Sequence, residues 1–134
     1  MKVTRSYRFA SSHRLHTPEL DDETNRAVFG KCNNPHGHGH NYRMEVTVEG
    51  PVNRETGLAV DVPALDALVQ REIVAAFDHR NLNADVREFQ TLVPTTENLA
   101  VVARDRLAAG WPATMPRLAR IRIFETQNNI FEIE

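Results

Sequence analysis

The stretch Gly37-His38-Gly39-His40-Asn41-Tyr42-Arg43-Met44-Glu45-Val46-Thr47-Val48-Glu49 decides how this chain folds. From Tyr42 onward, Tyr42, Met44, Val46 and Val48 alternate with Arg43, Glu45, Thr47 and Glu49, the period-2 pattern of a strand with one face on a core. If that strand starts a little early, His38 and His40 share a face. Their Cα atoms then lie roughly 6.5–7 Å apart, a separation from which two imidazoles can converge on one ion. Gly37 and Gly39, beside them, remove side-chain bulk and let the backbone bend.

Upstream, Val3, Arg5, Tyr7 and Phe9 fall on one face of a first strand, with Lys2, Thr4, Ser6 and Arg8 on the other. Residues 14–35 read as a long polar loop, a length that is more often functional than idle in a small domain. Downstream, residues 50–57 read as a turn and Leu58–Asp61 as a short return strand. A helix follows, capped near Asp61, with Pro63 in its first turn and Leu65, Leu68, Val69, Ile73 and Phe77 at helical spacing. A second helix starts after Pro94, with Thr95 or Thr96 as N-cap and Glu97 in the first turn, where the helix dipole favours an anion. Gly110-Trp111-Pro112 ends it. Ala119, Ile121 and Ile123 then share a strand face that ends at Glu125, and Asn128-Asn129 turns the chain into Ile130–Ile133. Strand pairs around two consecutive helices predict an α+β fold, an antiparallel sheet with both helices on one face.

The 134 residues are a one-domain length, and no linker or repeat divides residues 1–134. A composition 41% hydrophobic and 25% charged excludes wholesale disorder. Sixteen Lys plus Arg against eighteen Asp plus Glu, with no basic block, gives no support to a nucleic-acid or anionic-membrane partner. The lone Cys32 excludes an intrachain disulfide and suits a reducing compartment. No apolar run approaches the roughly 20 residues that span a bilayer, and the first nine residues lack a signal-peptide centre. The expectation is a cytoplasmic protein.

Five of the six histidines (13, 16, 36, 38 and 40) lie in the first forty residues, and the sixth is His79. A catalytic zinc site takes three protein ligands and leaves one position open. His38 and His40 supply two, and His13, at the end of the first strand, is the natural third if strands one and two pair. His16 and His36 compete for that place. Cys32, six residues before His38, reads three ways: a fourth ligand closing a structural site, a thiolate base or nucleophile beside a cation, or an inert buried thiol. Asp78-His79, at the end of the first helix, suits proton shuttling near neutral pH, or simply caps the helix. Glu125 is the odd carboxylate on an apolar face. It can accept paired N–H donors from a planar heterocycle, or merely meet water.

Taken together, Ser12-His13-Arg14-Leu15, Gly30-Lys31-Cys32-Asn33-Asn34-Pro35, Gly37-His38-Gly39-His40-Asn41-Tyr42, Asp78-His79-Arg80-Asn81-Leu82-Asn83, Pro94-Thr95-Thr96-Glu97-Asn98 and Glu125-Thr126-Gln127-Asn128-Asn129 resemble the 6-pyruvoyltetrahydropterin synthase family, which includes the 6-carboxytetrahydropterin synthases of the queuosine pathway. The motifs run in family order along essentially the whole chain. The resemblance implies the tunnelling fold: a four-stranded antiparallel sheet with two helices, three copies closing a barrel and two trimers stacking into a homohexamer. It implies His13, His38 and His40 as Zn2+ ligands, Cys32 as catalytic base, and Asp78 with His79 completing its proton relay. Glu125 would anchor the pterin, with Thr95, Thr96 and Glu97 lining the same pocket, and active sites would lie at subunit contacts.

Cys32 to His38 and His40 reads Cys-x5-His-x-His, the pyruvoyl-type spacing, whereas Cys32 to His36 and His38 reads Cys-x3-His-x-His, the queuosine-branch spacing. Tyr42 after His40-Asn41 matches the family's strand start and places the ligands at His38 and His40. The implied activity is a lyase acting on 7,8-dihydroneopterin triphosphate, eliminating triphosphate to give 6-pyruvoyltetrahydropterin. The alternative product is 6-carboxytetrahydropterin, with release of acetaldehyde. Arg14 and Lys31 flank the site and are candidates to bind the triphosphate, or are solvated charges. A non-catalytic zinc-stapled interaction domain is the competing class.

Overall fold

Alternation along two long strands sets the architecture of the computed structural model, which describes residues 1–134. Strands β1 (Lys2–His13) and β2 (His38–Glu49) pair antiparallel over their whole lengths, from Lys2 opposite Glu49 to His13 opposite His38. Strand β4 (Arg117–Phe124) pairs with the other edge of β2, and β5 (Ile130–Ile133) with β4, both antiparallel. One face of this sheet is apolar: Phe9, Tyr42, Met44, Val46, Ile121 and Ile123 are buried there.

Two helical segments cover that face. Helix α2 (Val62–Val69) runs on through a π-helical turn (Gln70–Val74) into the short α3 (Ala75–Phe77). Asp61 caps α2 by accepting from the Ala64 backbone N–H at 3.0 Å, and Pro63 sits in the first turn, where a missing N–H costs nothing. Helix α5 (Thr96–Ala109) is capped by Thr95, whose hydroxyl accepts from the Asn98 N–H. Leu65, Leu68, Val69 and Ile73 from the first segment meet Leu99, Val102, Ala103 and Leu107 from α5 over the sheet. Burying each large aliphatic side chain contributes about 1.5–3 kcal/mol before entropy is counted. No helix is long and apolar enough to cross a membrane.

Three segments depart from the sequence reading. Residues 14–35 are not a bare loop: they hold α1 (Asp22–Phe29) and a 3-10 turn (Gly30–Asn33). Asp21 caps α1 by accepting from the Thr24 N–H at 2.7 Å, and the fully buried Asn25 amide donates to the carbonyls of Thr17, Leu20 and Asp21. Leu58–Asp61 is not a return strand. A return strand would have to pair with β2, whose two edges are taken by β1 and β4, and Leu58 is exposed. Between the helices, Arg80–Asn81 forms a two-residue β3 that pairs parallel with β1 at Ser11 and Ser12, followed by the single turn α4 (Leu82–Asp85). The sheet therefore has five strands in the order β3-β1-β2-β4-β5: the four expected antiparallel strands plus one parallel stub.

At the far end of β1 from the histidines, Arg5 donates to both oxygens of Asp66 on α2, at 3.1 and 2.7 Å, and the Tyr7 hydroxyl donates to the same carboxylate at 2.7 Å. The Arg5 hydrogen bond holds the Asp66 carboxyl below its ordinary value. A depressed folded-state value stabilises the fold above the unfolded pKa, and that contribution is lost as pH falls through the folded one. Asp66→Asn should therefore lower stability at neutral pH and flatten the acid limb below about pH 4, as read by urea denaturation across a pH series.

Candidate metal centre and active site

The β1–β2 register carries the apolar face one step beyond the core. His13 stands opposite His38, Ser11 opposite His40 and Phe9 opposite Tyr42, all on the helix-covered side. Phe9 and Tyr42 stack with ring centroids 5.2 Å apart, a floor beneath the imidazoles. His13 is fully buried. Its Nδ1 lies 2.9 Å from the Pro94 carbonyl oxygen, which can only accept, so Nδ1 carries the proton and Nε2 presents a lone pair. That Nε2 lies 3.3 Å from His38 Nε2, which lies 2.9 Å from His40 Nε2. The rings stand edge to face, with centroids 4.7 to 5.0 Å apart.

This spacing fits a metal. Nitrogens bound to tetrahedral zinc at about 2.0–2.1 Å sit about 3.3 Å from one another. With His38 Nε2 this close to both neighbours, and His13 Nε2 unable to donate, the rings also satisfy each other poorly through hydrogen bonds alone. Burial lowers the values of His13 and His40, favouring the neutral imidazole that ligates.

Cys32 Sγ lies 3.6 Å from His38 Nε2, in ligand range of His13 and His38. Its loop is tied to Leu15 twice: the Leu15 N–H donates to the Cys32 carbonyl at 2.7 Å, and the Asn33 side-chain amide donates to the Leu15 carbonyl at 2.7 Å. The Asn83 side chain clasps Arg14 from the other side, accepting from its N–H and donating to its carbonyl. Burial, reinforced by Glu125, pushes the Cys32 thiol up. The protein groups around the sulfur thus favour the thiol, and only a cation beside it would reverse that.

Glu125 follows directly on β4 and lies 3.7 Å from His40 Nε2. The buried Thr96 hydroxyl donates to its Oε1 at 2.8 Å, and the Asn129 amide lies 3.3 Å from Oε2. Cys32, His38, His40, Glu125 and Asn129 line one cavity of about 860 Å³, with Arg14, Arg26 and Lys31 around it. Neither Arg26 nor Asn129 was singled out as a site residue from sequence: α1 read as loop, and Asn129 entered only as part of a turn and of the Glu125–Asn129 motif.

The other expected residues lie elsewhere. Thr95 caps α5 and Glu97 is exposed in its first turn, and neither lines this cavity. His36 is exposed, while His16 faces the Asn33 amide. Both border a separate cavity of about 750 Å³. Asp78 and His79 form a pair, Oδ2 to Nδ1 at 2.9 Å, at the β3 edge of the sheet. Asp78 Oδ1 accepts from the Ala10 N–H, which holds the carboxyl below its usual value, and His79 N–H donates to the Ala10 carbonyl. His79 sits at φ 56° with its side chain 85% exposed. Within one chain this pair does not share the Cys32 cavity.

Residues 2–134 match the family described as 6-pyruvoyl tetrahydropterin synthase. The chain is 47% identical over 128 residues to a Poecilia reticulata protein named 6-pyruvoyl tetrahydrobiopterin synthase, covering 96% of this chain and 86% of the relative. It is 43% identical over 129 residues to the human protein of that name, covering 96% and 88%. Among solved structures, the Caenorhabditis elegans 6-pyruvoyl tetrahydropterin synthase superposes with a TM-score of 0.92 at 36% identity, covering 100% of this chain and 94% of that one.

The imidazole geometry yields a direct test. His40→Ala should weaken Zn2+ binding by more than about 100-fold in chelator competition, whereas His36→Ala should leave it unchanged. The opposite pattern would shift the ligand register by two residues.

Proposed function

The chain belongs to the 6-pyruvoyl tetrahydropterin synthase family, and from that membership and the imidazole cluster we propose that residues 1–134 form one zinc-dependent lyase domain. Its substrate is 7,8-dihydroneopterin triphosphate, and its products are 6-pyruvoyltetrahydropterin and triphosphate. The observation that carries the reading is the convergence of three imidazole Nε2 atoms beside a thiol, in a cavity that also holds a positioned carboxylate. The names of the animal relatives, and the Cys-x5-His-x-His spacing of the clustered histidines, favour the pyruvoyl product over the carboxy one.

His13, His38 and His40 hold the zinc, and the chemistry it supplies when bound is Lewis-acid polarisation of the substrate's side-chain hydroxyls. Glu125, oriented by Thr96 and Asn129, accepts N–H donors from the pterin's pyrimidine edge as a bidentate pair. Of Thr95, Thr96 and Glu97, expected in the pocket from the resemblance, Thr96 serves that grip directly, while Thr95 caps the helix that carries it. Arg14 and Lys31, joined by Arg26, face the anionic tail. Cys32 removes a side-chain proton, and His79 with Asp78 returns protons. Oxidation of the two side-chain hydroxyl carbons is balanced by reduction of the ring and of the carbon that loses triphosphate, so no redox cofactor is consumed.

The exposed His79 and the open outer edge of β1 support a relay completed between chains. Strand β1 pairs with β3 only at Ser11 and Ser12, and Asp78 and His79 hold the Ala10 backbone, so its outer edge before Ala10 is free to meet a second copy. The assembly proposed is a homohexamer, a dimer of trimers, and the compartment is the cytoplasm, which suits one free cysteine.

Incubation with dihydroneopterin triphosphate should give triphosphate and the pyruvoyl compound, resolved by mass spectrometry. Acetaldehyde and 6-carboxytetrahydropterin would assign the other branch. Cys32→Ala should keep its zinc and lose about 10²–10⁴-fold in turnover, and zinc lost in step with activity would make the thiol a ligand. Mixing Cys32→Ala with His79→Ala chains should restore activity that neither has alone. Failure of mixed assemblies to recover turnover would place the relay within one chain.

A further inference from the structure

The two glycines that flank His38 are not equivalent. Gly37 sits at φ +69°, and a Cβ built on it would lie 2.6 Å from the His13 carbonyl oxygen and 3.1 Å from the His13 carbonyl carbon. Both are backbone atoms, so no rotamer change relieves the clash. Gly39 has no such demand: its nearest neighbour, the Ser11 carbonyl oxygen, lies at 3.5 Å, an ordinary contact, and its φ is not positive. Resting on the metal reading above, we infer that Gly37 is a positioning residue for the metal centre. Its missing side chain lets the turn before β2 close onto the backbone of His13, and that closure places His38 across from it.

The surrounding geometry shows how a backbone contact reaches the ring nitrogens. The Gly37 N–H donates to the Asn34 carbonyl at 2.8 Å, closing the turn that leads out of the Cys32 segment. The next residue, His38, forms the last pair of the β1–β2 ladder, opposite His13. The His13 ring is held from its other side by the Pro94 carbonyl at 2.9 Å, so it cannot follow a displaced backbone without losing that acceptor. A methyl group at position 37 must therefore push the turn away from His13 and open the 3.3 Å approach of the two Nε2 atoms. One added carbon acts here as the loss of an orienting partner does in other metal sites.

The test measures Zn2+ affinity by chelator competition and the visible spectrum of the Co2+-loaded chain, on full-length protein. Gly37→Ala should weaken Zn2+ binding about 10–100-fold and distort the tetrahedral Co2+ bands, while Gly39→Ala leaves both unchanged. Gly57→Ala controls for backbone strain alone, since Gly57 sits at φ +73° with nothing within 4 Å of a built Cβ, and it should bind metal normally. Gly37→Asn separates strain from contact: Asn tolerates positive φ better than Ala but keeps the clashing Cβ, so it should fail as Ala does. Wild-type affinity in Gly37→Ala, recovery in Gly37→Asn, or an equal loss in Gly39→Ala would overturn the inference. So would a metal-free Gly37→Ala chain that does not fold, because the contact would then serve the whole sheet. A wild-type chain that binds no Zn2+ would remove the metal reading itself, and this inference with it.

Discussion

The unbroken ladder between β1 and β2, from Lys2 opposite Glu49 to His13 opposite His38, is the constraint on which the rest of the molecule depends. Side chains alternate strictly along a strand, so a slip of one residue would turn every core position outward. Phe9, Tyr42, Met44 and Val46 anchor the register by burial. The histidines inherit it. They occupy the same face as the core but lie beyond its last aromatic layer, where the two helical segments no longer close the sandwich. The apolar core thereby works as a ruler: hydrophobic burial, which has no chemical specificity, fixes where three imidazole nitrogens meet.

Second partners make that meeting point selective. The Pro94 carbonyl holds the proton on His13 Nδ1, and Pro94 immediately precedes the Thr95 cap and the Thr96 hydroxyl that orients Glu125. One short segment at the start of α5 thus sets both a ring tautomer and a carboxylate. The Cys32 loop is governed separately, by α1 and the buried amides of Asn25 and Asn33. Imidazole cluster, carboxylate and thiol are therefore carried by different elements that converge only in the folded chain. The Asp78–His79 pair, fixed to the backbone of Ala10 yet open to solvent, stands apart from all three.

Much of this was legible before the fold was known. The alternation of Tyr42 to Val48, the Asp61 and Thr95 caps and the apolar spacing of both long helices are local signals, and the structure contains each of them. Alternation put His38 and His40 on one face and strand pairing offered His13 as their third, with His16 and His36 competing until the resemblance chose among them; the structure brings the first three together and leaves His36 exposed. What stayed hidden was non-local or too brief. Helix α1 is polar throughout its first turns and owes its stability to a buried Asn25, not to an apolar stripe. Leu58–Asp61 has a strand's composition but both edges of the preceding β2 are already taken, and β3 is only two residues long. Asn129 and Pro94 lie within the motifs that carry the resemblance, but the roles of the Asn129 amide and the Pro94 carbonyl stayed hidden, because their meaning comes from partners that only folding supplies.

In the function proposed above, zinc is held by three imidazoles with no permanent sulfur ligand. X-ray absorption at the zinc edge of the loaded protein tests this most directly. Three imidazole nitrogens at about 2.0–2.1 Å, with a fourth light scatterer at similar distance, are the expected shell. A sulfur scatterer near 2.3 Å, or fewer than three imidazoles, would contradict it.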